Sequence, residues 1–147
     1  GPRQSARAVI PSIIIQLLNG KRKINLGNLL PVRDFTFVTD TVNGFLEVHD
    51  ESKLLGEVTN VGTGSGISII DLYNKISDIT NIKSELLNDD MRVRPEKSEV
   101  NKLICDNSKL KKYTNWSQKY SFDEGLIMTI EWIKNNLNLY KENIYNV

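Results

Sequence analysis

A chain of 147 residues with 39% apolar and 25% charged side chains fits one ordinary water-soluble domain and is too short for two. Nineteen Lys and Arg against eighteen Asp and Glu leave a net charge of +1, which argues against a nucleic-acid or membrane-surface protein driven by bulk charge. A single cysteine, Cys105, excludes an internal disulfide framework, and with one histidine, His49, a Cys/His zinc site is implausible. The longest apolar stretch, Val9 to Leu18, contains Pro11 and Gln16 and is too short to span a bilayer. No basic, apolar, small-residue leader precedes it, so the expectation is a cytoplasmic protein with a reduced thiol. The chain begins at Gly1 rather than Met; a protease scar and a start inside a larger protein both fit, and composition does not separate them.

Val9, Ile10, Ile13, Ile14, Leu17 and Leu18 recur at helical spacing and predict an amphipathic helix over residues 8–18, with Pro11 in its first turn and Asn19-Gly20 as its stop. Lys21 to Asn25 reads as a short strand ending at Gly27. Past Pro31, Phe35 and Phe37 alternate with the β-branched Thr36 and Val38 and predict another strand. A helix should follow with Val42, Phe45, Leu46 and His49 on its packed face. Glu57 to Val61 reads as a strand, and Gly62-Thr-Gly-Ser-Gly66 as the turn after it. Ser68 with Asp71 is a capping signature for a helix whose stripe is Ile69, Leu72, Tyr73 and Ile76. Ser84 to Leu87 is a strand candidate, and residues 89–101 are charged and irregular. Leu103 to Cys105 is a short apolar run ahead of Asp106-Asn107-Ser108, which should cap a brief helix through Tyr113. Ser121 with Glu124 caps a last helix carrying Phe122, Leu126, Ile130, Ile133 and Leu137. Strands and helices mix in one α/β unit without repeats or low-complexity tracts.

Few motifs carry chemistry by spacing. Gly62, Gly64 and Gly66 lie between a strand and a capped helix, yet a dinucleotide fingerprint needs its third glycine three residues after the second. The cluster therefore reads as a glycine-rich turn. The adjacent acids Asp89-Asp90 read as a solvated loop. Arg33-Asp34 and Arg92-Val-Arg94-Pro95 put guanidinium groups at strand or loop edges, where forked contact with phosphate is natural and pairing with a nearby carboxylate is commoner. Physical reading alone reaches an α/β domain with a candidate anion site.

Three segments in order carry a resemblance: Gly1-Pro-Arg-Gln4 with Val9-Ile-Pro11, then Arg33-Asp-Phe-Thr-Phe-Val38, then Arg94-Pro95 ahead of Leu103-Ile-Cys-Asp106. With Asn60-Val-Gly-Thr-Gly64, Asn115-Trp116 through Glu131-Trp132 and the ending Leu139 to Val147, the chain resembles the C-terminal part of the extended short-chain dehydrogenases/reductases. Within them it is similar to the NAD(P)-dependent sugar-nucleotide 4,6-dehydratases and 4-epimerases, and its tail to the GDP-mannose-4,6-dehydratase-like enzymes of the legionaminic-acid pathway. The fold implied is α/β, the C-terminal part of an extended Rossmann-type fold without the N-terminal dinucleotide-binding half. All 147 residues would form the nucleotide-sugar-binding portion.

By the same resemblance, Arg33 and Arg94 match two arginines that hold a nucleotide pyrophosphate. Ala8 and Val9 match positions whose amides at a helix N-terminus face that diphosphate, with Arg7 beside them. Ile24, Asn25 and Leu26 match the segment lining the base, where the family often has an aromatic residue in place of Leu26. Asn60 matches a polar position near the phosphates, and Lys97 one in the loop after the second arginine. The family's glycine-rich cofactor loop and its Tyr-x-x-x-Lys pair have no counterpart here, since Tyr73-Asn-Lys75 and Tyr140-Lys141 have other spacings. No catalytic residue and no metal is therefore expected, and no cofactor on this chain, with NAD or NADP in the parent enzyme. The implied partners are a nucleoside-diphosphate sugar (GDP- or UDP-linked, with N-acetylglucosamine favoured by the tail) and the missing N-terminal half, with no nucleic acid and no membrane. Strands such as Glu57 to Val61, left without the sheet they would join, imply self-association or a homodimer. A 4-epimerase portion and a stand-alone, non-catalytic nucleotide-sugar module are the alternatives.

Overall fold

The first helix, α1 (Val9–Leu18), is apolar nearly all round, and that decides its place. Ile10, Ile13, Ile14, Ile15 and Leu17 are all buried, as expected for a helix enclosed on several sides. In the computed structural model, which describes residues 1–88 and 99–140, α1 lies between α3 (Ile69–Thr80) and α5 (Phe122–Asn135). Their stripes, Ile69, Leu72, Tyr73 and Ile76 on one and Leu126, Ile130 and Ile133 on the other, join α1 in a single core. Asn19 ends the helix, and Gly20 turns the chain away at φ +69°, a conformation costly for a residue with a Cβ.

Two small sheets border this core. β1 (Lys23–Leu26) pairs in parallel with β4 (Glu85–Asn88), Lys23 opposite Glu85. Ile24 and Leu26 point inward while Lys23 and Asn25 face out, the period-two alternation of a half-buried strand. The second sheet centres on β2 (Val32–Arg33), flanked by β3 (Ile67–Ser68) antiparallel and β5 (Lys102–Leu103) parallel. α2 (Val38–Asp50) follows β2, and the short α4 (Ser108–Tyr113) follows β5.

The capping signatures form as expected. The Ser68 hydroxyl accepts the Asp71 amide at 3.1 Å, and Ser121 with Glu124 makes a reciprocal capping box. Of the Asp106-Asn107-Ser108 segment expected to cap α4, Asn107 takes the N-cap position without a side-chain bond to the helix. Its amide side chain donates to the Gly62 carbonyl at 2.8 Å, while Asp106 accepts the Ser108 amide.

Three other expectations are corrected. Residues 35–38 form no strand. Phe35 packs on Phe122 and Phe37 on Tyr120, so these rings are covered by the start of α5 rather than by a ladder. Glu57 to Val61 is likewise no strand, since neither sheet offers it a partner among the described residues. The largest reversal is in α2. Its apolar positions Val42, Phe45 and Leu46 are 50%, 66% and 57% exposed, and His49 is exposed as well.

What α2 buries is Asp40 and Gly44. The Asp40 carboxylate accepts the amides of Lys119 and Tyr120, and its carbonyl accepts the Trp116 indole N–H at 2.9 Å. A Cβ at Gly44 would lie 2.4 Å from a Val61 methyl. A satisfied buried acid and a close glycine contact override the apolar periodicity, because each is specific and costly to break.

The two helix faces should therefore answer differently to truncation. In urea unfolding, Leu17→Ala should cost about 2–5 kcal/mol as a cavity in the core, whereas Val42→Ala on the outward face of α2 should stay within about 0.5 kcal/mol. Equal losses would contradict the placement of the core.

Candidate anion site

The site is built on the residue pair that ends β2. Asp34 continues the sheet by donating its amide to the Leu103 carbonyl at 3.1 Å, and its carboxylate then ties three segments together. Oδ1 accepts the Thr63 amide at 3.2 Å and the Thr63 hydroxyl. Oδ2 accepts the Gly64 amide at 2.8 Å and the Cys105 amide at 3.2 Å. An ionised carboxylate is acceptor-only, so four converging donors suit it. The glycines answer to the same closeness. A Cβ on Gly62 would sit 2.4 Å from Cys105 Cβ, and Gly64 takes φ +80° beside Asn107. The loop amides at Thr63 and Gly64 thus face an internal anion, the group a bound phosphate would otherwise replace.

Cys105 lies in this knot. Burial, and after it the negative charges of Asp34 and Asp106, push its thiol above the ordinary value. It is shielded from the thiolate chemistry that a lone cysteine invites.

Arg33 faces the other way. Its Nη1 donates to the Val32 carbonyl at 3.0 Å, and its Nη2 donates to Glu99 Oε1 at 2.9 Å. Arg33 lines three cavities, of about 440, 510 and 260 Å³. The first is lined by Arg7, Ala8, Val9, Leu26, Arg33 and Glu99, with others. It opens at the N-terminus of α1, whose first turn has neither a side-chain cap nor an acidic residue. The positive end of the helix dipole therefore adds to Arg7 and Arg33 at this cavity. Its aromatic wall is Phe35.

Of the residues expected at a nucleotide-sugar site, the structure brings Arg7, Ala8, Val9, Leu26 and Arg33 to one cavity, although the Ala8 backbone amide donates to the Ser5 carbonyl at 3.0 Å instead of facing it. Ile24 is wholly buried in the core. Asn25 has its amide held by Gln16 Oε1 at 3.0 Å, a bridge from α1 to β1. Asn60 lines the 510 Å³ cavity and donates to the Asp106 carbonyl. Arg94 and Lys97 lie outside the described residues, as do Asp89, Asp90 and the tail beyond Tyr140. Glu99 and the clamping role of Asp34 were missed. The Arg-Asp step after a strand was a signal for Asp34; nothing local marks Glu99, which lies sixty-six residues from Arg33. Among the described residues no His/Cys/Asp/Glu cluster could hold a metal ion, and no helix is long and apolar enough to cross a membrane.

Comparison with known proteins places this geometry. The family model for GDP-mannose 4,6 dehydratase matches residues 1–129. Human dTDP-D-glucose 4,6-dehydratase is 29% identical, the match covering 96% of this chain and 41% of that protein. UDP-glucuronate 4-epimerase of Thermodesulfobacterium geofontis is 34% identical, over 78% of this chain and 34% of that protein. Among solved structures, an epimerase from Methanothermobacter thermautotrophicus superposes with a TM-score of 0.83 at 26% identity, covering 95% of this chain and 41% of that one. UDP-glucose 4-epimerase from Thermotoga maritima, solved with UDP-glucose, gives 0.77 at 30% identity, over 93% and 43%. The dTDP-glucose 4,6-dehydratase of Bacillus anthracis, solved with NAD, gives 0.81 at 26%, over 95% and 43%. The chain spans about two-fifths of the length of the curated relatives first matched.

The thiol in the knot offers a readout of the Asp34 charge. Asp34→Asn removes a negative charge that raises the thiol, and it sets an amide against the Gly64 and Cys105 donors, a mismatch of about 1–3 kcal/mol. The thiol value falls, the thiolate fraction at fixed, mildly alkaline pH rises, and Cys105 should react several-fold faster with an aromatic disulfide, followed by peptide mass. An unchanged rate would contradict the clamp.

Proposed function

Because the chain belongs to the GDP-mannose 4,6 dehydratase family, we propose that residues 1–147 are the nucleotide-sugar-binding portion of an NAD(P)-dependent sugar-nucleotide 4,6-dehydratase. The observation that carries this reading is the convergence of Arg33, Arg7 and the start of α1 on one cavity of about 440 Å³. A nucleoside diphosphate presents oxygens that a fixed, always-charged fork and the positive end of a helix dipole recognise, and a cavity of that size accommodates a sugar or a base beside them. The match to an epimerase solved with UDP-glucose supports the same ligand class. By the resemblance, Arg94 and Lys97 would add charge to the same diphosphate. Asn60 would serve the phosphates from the second cavity, and Leu26, which lines the first, would border the base with Asn25 beside it and Ile24 buried behind it.

In the reaction this reading assigns to the whole enzyme, C4 of the sugar is oxidised, water leaves across C5 and C6, and hydride returns to C6. The dinucleotide supplies the hydride acceptor. Nothing in the glycine loop of this chain fits that cofactor, since its Thr63 and Gly64 amides are held by Asp34. The part of these residues is to bind and orient the substrate, and the cofactor and the proton-transfer groups belong to the rest of the protein. A 4-epimerase is the second reading, favoured by the relatives that carry that name.

The outward face of α2 supports a further element of the proposal. Val38, Val42, Phe45 and Leu46 form an exposed apolar row at helical spacing, larger than a solitary surface residue would need. The remaining three-fifths of the protein, by the relatives' length, would cover it.

Two tests address the reading. In the intact protein, Arg33→Ala and Arg94→Ala should each weaken nucleoside-diphosphate binding about tenfold or more, as expected for lost charge-assisted hydrogen bonds. Unchanged affinity in both sinks the site assignment. Residues 1–147 expressed alone should self-associate in sedimentation and bind an apolar dye, and Phe45→Glu should reduce both effects. A monomer without dye binding would contradict the covered face.

A further inference from the structure

We propose that Glu99 is a displaceable internal counter-ion of Arg33, so that an anion entering the 440 Å³ cavity binds by exchange with this carboxylate. The inference rests on the reading of that cavity as a nucleoside-diphosphate site and assigns a residue that limits its affinity.

The pair differs from the other ion pairs of the described residues. Lys23–Glu85, Lys75–Asp123 and Lys109–Glu57 all have side chains more than 40% exposed, where water screens them. Arg33 and Glu99 are 22% and 14% exposed, and both line the cavity. Their attraction is less screened, and it cancels the charge that the cavity would offer an incoming anion.

Glu99 is not what holds Arg33 in place. Nη1 is tied to the Val32 carbonyl, and the backbone is fixed on both sides: the Val32 amide donates to the Asn101 carbonyl and the Asp34 amide to the Leu103 carbonyl. The Asp34 clamp secures the next residue. Among the described residues, by contrast, Arg33 is the partner of the Glu99 carboxylate. Among the described residues, one member is anchored by its backbone and the other by the ion pair, so the carboxylate is the member that yields. A diphosphate brings several oxygens and more than one charge to the vacated fork, beside Arg7 and the α1 terminus, and can take over the bond.

The test is calorimetric titration of the intact protein with pyrophosphate, GDP and UDP, using wild type, Glu99→Gln and Arg33→Ala. Removing the competing charge should tighten binding about fivefold in Glu99→Gln, while Arg33→Ala weakens it. General damage to the fold would weaken binding in both, so the opposite signs separate exchange from a structural role. Weaker or equal binding in Glu99→Gln, with Arg33→Ala impaired, overturns the counter-ion inference and leaves the site reading intact. Equal binding in Arg33→Ala, or no binding by any of the proteins, overturns both. Should Glu99→Gln fail to fold, the carboxyl carbon resonance of Glu99 in labelled wild type should shift on saturation with GDP. A stationary resonance at saturation rejects the exchange.

Discussion

The carboxylate of Asp34 is the interaction on which the functional side of this fold depends. Four donors from two separate segments converge on it, and no other described side chain joins the end of β2, the glycine loop and the end of β5 at one point. The two short strands beside β2 have only two residues each, too little ladder to hold register unaided. The acceptor-only carboxylate supplies what the ladders lack. It also explains why the glycines are required: Gly62 passes against Cys105, and Gly64 turns through positive φ beside Asn107. A loop that would suit an external phosphate in isolation is here stabilised by an internal one-residue anion.

Fixing Asp34 fixes Arg33, because neighbours on a strand point to opposite faces. The acid turns into the knot and the guanidinium turns toward the cavities. The start of α1 reaches the same place for an independent reason. That helix is enclosed by α3 and α5, so its axis is set by packing and its uncapped end arrives at the cavity rigidly. Positive charge is thus delivered from two directions by elements whose positions were decided elsewhere, as preorganised binding requires.

Much of this was legible in the sequence, and the failures share one cause. The stripes of α1, α3 and α5, both Ser caps and the β1 and β4 strands follow local periodicity and cap chemistry, and the structure has them. Residues 35–38 and 57–61 have strand-like composition but no partner strand, and pairing is a tertiary property that composition does not encode. In α2 the periodic face reads inward because apolar residues mark cores. The buried residues are Asp40 and Gly44, whose reasons lie about eighty and seventeen residues away, at Tyr120 and Val61. Within the site, Arg33 was visible as a forked donor at a strand edge, whereas Glu99 was invisible, since its partner is chosen by the fold of the whole chain.

The outward face of α2 and the anion cavity are linked through Arg33. Phe45, from that exposed face, lines the 510 Å³ cavity, and Arg33 lines this cavity as well as the one at the α1 terminus. A body seated on α2 would narrow the second cavity and shield Arg33 from that side, leaving the first and the 260 Å³ cavity as its approaches. Shielding lowers the local dielectric around Arg33, which strengthens both its bond to Glu99 and any bond to a phosphate. Covering that face and tuning the charge of the site are then two consequences of one contact, because a single side chain stands in both cavities.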